Sequence, residues 1–87
     1  MRPFILAVDD ERDVSDLVAF QLTRAGCTVV TAATGRQALE RVHARKPDLI
    51  ILDLMLPDID GFGVCEILRR QPATATIPII ILTAWAT

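Results

Sequence analysis

Residues Leu49 to Gly61 read LIILDLMLPDIDG. An apolar run, Leu49 to Leu52, gives way to one carboxylate, Asp53, then to Leu54, Met55, Leu56 and Pro57. A turn-rich segment follows: Asp58, Ile59, Asp60 and Gly61. A short unbroken apolar run bounded by turn residues predicts a strand buried on both faces. Pro57 has no N–H to give to a ladder, so the strand ends before it. Asp53 is thereby placed at the carboxyl end of a buried strand, the edge where open α/β sheets bind ligands. On this stretch alone, a turn-initiating aspartate explains Asp53 equally well.

The same grammar recurs on either side. Phe4 to Val8 is an apolar run that stops at Asp9-Asp10-Glu11, which predicts a first strand with acids at its carboxyl end. From Glu11 to Ala25, the residues Val14, Leu17, Val18, Leu22 and Ala25 recur at helical spacing, and Gly26 supplies the stop. The acids at the start suit the positive end of the helix dipole. Thr28 to Ala32 is β-branched and short, a second strand. Thr34-Gly35-Arg36-Gln37 matches a capping box, with Thr34 as N-cap and Gln37 reaching back. Ala38, Leu39 and Val42 give a second helix that fades by Lys46, and Pro47 breaks it before the third strand, Leu49 to Asp53. Phe62, Cys65, Ile67 and Leu68 support a third helix from about Gly61 to Arg70, ended by Gln71-Pro72. Ile77 to Leu82 is a fourth buried strand, closing at Thr83. Strand and helix alternate three times and a strand follows, which implies a parallel α/β sheet with right-handed crossovers.

Composition narrows the function. The 87 residues suffice for one domain and not for two. With 52% hydrophobic residues and a mean hydropathy of +0.41, a packed core is expected rather than disorder. No apolar run approaches the ~20 residues that span a bilayer, and Asp9 and Asp10 interrupt the amino-terminal one too early for a signal peptide. A soluble cytoplasmic protein with no membrane contact is expected. The net charge of -2 gives no electrostatic footprint for direct nucleic acid binding. Cys27 and Cys65 stand apart, without a CxxC or a histidine cluster, so neither zinc nor a disulfide framework is expected; both are read as small buried hydrophobes. His43, in the charged stretch Glu40 to Lys46, is read as a solvated helix residue.

Polar groups thus fall at the carboxyl ends of three buried strands: Asp9-Asp10, Asp53 and Thr83. A parallel sheet brings those ends to one edge. Carboxylates crowded there repel, so either one takes up a proton or a cation joins them. Hard oxygen ligands suit Mg²⁺. Singly, Asp9-Asp10 reads as a helix cap and Thr83 as an ordinary strand-end hydroxyl. Their joint occurrence is harder to assign to chance.

These residues resemble the receiver domains of two-component response regulators. The resemblance rests on Val8-Asp9-Asp10-Glu11, Leu52-Asp53-Leu54-Met55-Leu56-Pro57, Asp60-Gly61 and Leu82-Thr83-Ala84, with fitting spacing over the whole chain. It implies a flavodoxin-like doubly wound parallel sheet and a phosphorelay function. Asp53 would be the phosphoacceptor, taking a phosphoryl group from a sensor histidine kinase or phosphotransfer protein. Asp10 and Asp53 would bind Mg²⁺ through carboxylates, Met55 through its backbone carbonyl, and Asp9 mainly through water. Thr83 would hydrogen-bond a phosphoryl oxygen, beside a small Ala84, and Pro57 and Gly61 would shape the loop. Such a domain is a signalling module and not an enzyme. A haloacid-dehalogenase-type hydrolase would need a second Asp two positions after the nucleophile, where this chain has Met55.

One departure follows from the same resemblance. Receivers carry a fifth strand with a lysine at its start, and the only lysine here is Lys46, which matches no such position. The expected fold is an incomplete (βα)3β over residues 1–87, lacking the last helix-strand-helix of roughly 30 to 35 residues. The alternative reading is a receiver-like interaction module that does not signal by phosphorylation. An Ile77–Leu82 strand left at the sheet edge would favour self-association.

Overall fold

Short apolar runs alternating with amphipathic segments fold with the strands in the middle and the helices outside, because a strand offers two faces to bury. The computed structural model describes residues 2–82. Its elements are β1 (Phe4–Val8), α1 (Arg12–Arg24), β2 (Thr28–Ala32), α2 (Gly35–Ala44), β3 (Leu49–Asp53), α3 (Gly61–Arg69) and β4 (Ile79–Leu82). The strands form one parallel sheet ordered β2-β1-β3-β4. β1 is central, with Leu6 opposite both Val30 and Ile50, and Val8 opposite both Ala32 and Leu52. The first crossover moves one way from β1 and the second returns past it. Right-handed connections therefore put α1 on one face and α2 and α3 on the other.

The core lies under α2 and α3. Leu6, Val8, Ile50 and Leu52 of the sheet meet Ala38 and Val42 of α2, Val64 and Leu68 of α3, and Ile77. The opposite face is less covered. β1 is buried throughout, but in β3 only Ile50 and Leu52 are, while Leu49 and Ile51 are half-buried. The expectation that β3 is buried on both faces thus holds for the α2–α3 face alone, because α1 packs over β1 and β2. For the same reason the expected stripe of α1 divides. Val18 and Leu22 are partly buried, whereas Val14, Leu17 and Ala25, with Phe20, are exposed.

β4 begins two residues later than expected. Ile77 is a core residue, but its N–H donates to the Thr74 carbonyl at 3.2 Å and its carbonyl accepts from Arg69 Nη1 at 2.9 Å. Pro78 has no N–H, so pairing with β3 starts after it; its carbonyl accepts from Ile50 N–H at 3.0 Å. Cys27 and Cys65 are free and half-buried rather than fully buried, and His43 is exposed. Asp48 fastens the other edge of the sheet. Its carboxylate accepts from Phe4 N–H at 2.7 Å, while its own N–H donates to the Phe4 carbonyl at 2.7 Å.

Gly26 ends α1 as expected, and the reason is visible. Its φ is 99°, its N–H donates to the Thr23 carbonyl, and the Cys27 N–H donates to the Leu22 carbonyl. This is the paired closure of a helix that needs a left-handed residue. A Cβ at Gly26 meets nothing within 4 Å, so a substitution there is strained by the backbone alone. Gly26→Ala is expected to cost about 1–2 kcal/mol in urea unfolding, and Gly26→Asn less. No loss with Ala would refute the left-handed geometry.

Candidate functional site

The register of β1 against β3 sets Val8 beside Leu52, so Asp9 and Asp53 leave the sheet side by side. Asp9, Asp10 and Asp53 each offer an oxygen, and these three atoms all lie within 4.8 Å of one another. Asp9 and Asp53 are half-buried and Asp10 is exposed. Two are held in place locally. Asp9 Oδ1 accepts from Glu11 N–H at 2.9 Å, and Asp53 Oδ1 accepts from Met55 N–H at 3.2 Å. Glu11 is the N-cap of α1 and the helix has no side-chain cap, so capping does not account for Asp9-Asp10.

The electrostatics are those of crowded acids. Burial pushes the Asp9 carboxyl above its ordinary range. The Glu11 N–H pulls it down, and the Asp53 and Asp10 charges push it up again. Half-buried oxygens that repel one another are what a hard divalent cation relieves, and the all-oxygen donor set fits Mg²⁺. A cleft of about 250 Å³ adjoins the cluster on the α1–β2–α2 side, lined by Asp9, Asp10, Arg12, Ser15, Gln37 and Arg41 among others; Asp53 is not part of its wall. The chemistry centres on the carboxylates rather than on this cleft.

The loop 54–60 after Asp53 is fixed at three points. Gly61 N–H donates to the Leu54 carbonyl at 3.0 Å. A Cβ at Gly61 would stand 2.7 Å from the Asp53 carbonyl oxygen, a distance only glycine permits. Asp60 caps α3, accepting from Gly63 N–H at 2.7 Å. Asp58 reaches across to α2 and accepts from Gly35 N–H at 2.8 Å and Arg36 N–H at 3.0 Å. Those amides, Arg36 first, lower its carboxyl to about 2. The Met55 side chain is 65% exposed, as suits a residue expected to act through its backbone.

Sequence reading located Asp9, Asp10, Asp53 and Met55, and the fold brings all four to one edge. Thr83 and Ala84 lie outside the described residues. Lys46 is exposed and precedes β3, at the sheet edge opposite Asp53. The capping box forms with a shift: Thr34 Oγ1 accepts from Gln37 N–H at 3.0 Å, but Gln37 Oε1 accepts from Ala33 N–H, at 2.9 Å, rather than from Thr34. Asp58 was legible only as a turn residue, because its partners lie 22 and 23 positions away.

Comparison with known proteins agrees with this geometry. The family model described as "Response regulator receiver domain" matches residues 5–87. The alkaline phosphatase synthesis transcriptional regulatory protein PhoP of Bacillus subtilis is 46% identical over 84 residues, 97% of this chain and 34% of its own length. The DNA-binding dual master transcriptional regulator RpaA of Synechocystis is 49% identical over 82 residues, 94% of this chain and 34% of its length. The chain thus spans about a third of the curated relatives it matches. Among solved structures, a chemotaxis response regulator of Vibrio cholerae superposes with a TM-score of 0.94 at 34% identity, covering 100% of this chain and 72% of that one. A match of this extent, on a fold whose strand ends gather the expected acids, places the chain in the response regulator receiver family, the phosphoacceptor modules of two-component signalling.

Proposed function

We propose that Asp53 is the phosphoacceptor of this chain and that Asp9, Asp10, Asp53 and the Met55 carbonyl hold Mg²⁺. The observation that carries the proposal is the acidic cluster, three carboxylates within 4.8 Å at the carboxyl edge of the sheet. Asp53 attacks the phosphorus of a phosphohistidine on a sensor histidine kinase or phosphotransfer protein. The new bond is an acyl phosphate, the phosphorus–nitrogen bond breaks, and the histidine keeps the electron pair and takes a proton. The Met55 N–H turns the Asp53 carboxylate by holding Oδ1, and the Glu11 N–H does the same for Asp9. When bound, the cation neutralises the charge of the phosphoryl oxygens and of the acids around them. Thr83 is assigned to a phosphoryl oxygen on the family match alone.

No helix among the described residues is long and apolar enough to cross a membrane, and a cytoplasmic site of action is part of the proposal. So is the reading of residues 1–87 as one receiver module that turns nothing over. The net charge of -2 argues against direct DNA contact by these residues. The metal assignment is tested by thermal unfolding. At 100 times its dissociation constant, Mg²⁺ is expected to add ~2.7 kcal/mol. Asp10→Asn is expected to remove most of that gain. Equal melting temperatures in millimolar Mg²⁺ and in EDTA would refute the site.

A further inference from the structure

The first turn of α2 is capped from two places. Thr34 Oγ1 takes the Gln37 N–H, a local cap. The two preceding amides, Gly35 and Arg36, donate instead to Oδ1 and Oδ2 of Asp58 in the loop 54–60. The opening amides of a helix have no partner within it; here one distant carboxylate satisfies two of them. The loop also presses on the same turn. A Cβ on Gly35 would stand 2.9 Å from Ile59 Cβ and 3.2 Å from the Ile59 carbonyl oxygen, so the contact depends on glycine. That loop carries the Met55 peptide, whose N–H holds Asp53 Oδ1.

We propose that Asp58 is a positioning residue for the divalent-cation site, clamping the loop 54–60 to the first turn of α2 and so holding the Met55 peptide beside Asp53. The inference rests on the cation site assigned above. With its carboxyl lowered to about 2, Asp58 stays ionised at neutral pH. Its charge faces the positive end of the α2 dipole, which favours the closed clamp.

Thr34→Ala provides the control, because it removes a cap from the same helical turn without touching the loop. The 87-residue chain, Asp58→Ala, Asp58→Asn and Thr34→Ala are titrated with Mg²⁺ by calorimetry, and their amide resonances are recorded without metal. Asp58→Ala is expected to weaken Mg²⁺ binding about tenfold, Asp58→Asn less because one acceptor oxygen remains, and Thr34→Ala by under about twofold. The Leu54 and Met55 amide resonances move in Asp58→Ala and stay in Thr34→Ala. Unchanged affinity in Asp58→Ala, or an equal loss in Thr34→Ala, overturns the proposal. If the unsubstituted chain binds no Mg²⁺, the cation site itself is wrong. The clamp is then decided by the metal-free resonances, and Leu54 and Met55 signals unmoved by Asp58→Ala overturn it.

Discussion

Incubation with acetyl phosphate and Mg²⁺ is expected to add one phosphoryl group to this chain, and Asp53→Asn to abolish the addition. Three carboxylates compete for the role at this edge, and local structure separates them. Asp10 is exposed and follows β1 by two residues. Asp9 is turned toward Glu11 by its hydrogen bond, and burial raises its proton affinity. Asp53 is the last residue of β3, with a strand on either side of it. Phosphoryl transfer needs in-line placement and charge neutralisation more than covalent machinery. A residue fixed by the sheet on one side and by the Met55 amide on the other meets that need. Asparagine keeps the shape and loses the nucleophile, so intact mass should show complete loss of the label. Transfer is expected to be slow, since Lys46 lies at the far edge and a cationic partner for the phosphoryl oxygens is worth much in a transition state. A label that persists in Asp53→Asn would refute the assignment.

The parts of the fold that depend on neighbours in sequence were legible in it. Strand runs ending in acids, Gly26 as a stop and Thr34 as a cap all express chemistry within a few residues. The acidic cluster was legible for a second reason: parallel strands bring their carboxyl ends together whatever their order. What escaped was set by distance. Asp58 and Gly35 are separated by most of α2 and all of β3, and nothing local marks one as the partner of the other. The start of β4 was misplaced because Ile77 looks like a strand residue by type. Its backbone is instead taken by Thr74 and Arg69, contacts that only the folded turn provides. The half-exposed face of β3 escaped likewise, since an apolar run says nothing about which helix covers it.

That face carries the second large expectation: a polypeptide of these 87 residues is expected to self-associate through β4. Among the described residues β4 has β3 on one side only, so one row of its backbone donors and acceptors lies at an edge. Its side chains invite the same contact. Ile80 is 49% exposed and Leu82 44% exposed, both on the face away from the core, opposite Ile51 and Asp53 in register. α1, on that same side of the sheet, exposes Leu17 and Phe20. Residues 79–82 carry no charge to discourage pairing, and Pro78 guards only the start of the strand. Burying an isoleucine fully gains ~1.5–3 kcal/mol; at half exposure, Ile80 and Leu82 together forgo about that much, a sizeable share of the ~5–15 kcal/mol that holds a domain folded. Pairing edge to edge with a second copy would satisfy the backbone row and cover both side chains. Ile80→Lys puts a charge in the middle of that contact while leaving the α2–α3 core untouched. Light scattering coupled to size-exclusion chromatography over a concentration series should show a mass above the monomer, growing with concentration, and a monomer for Ile80→Lys. A compact monomer at high concentration, with the unsubstituted residue in place, would show that the β4 edge does not pair.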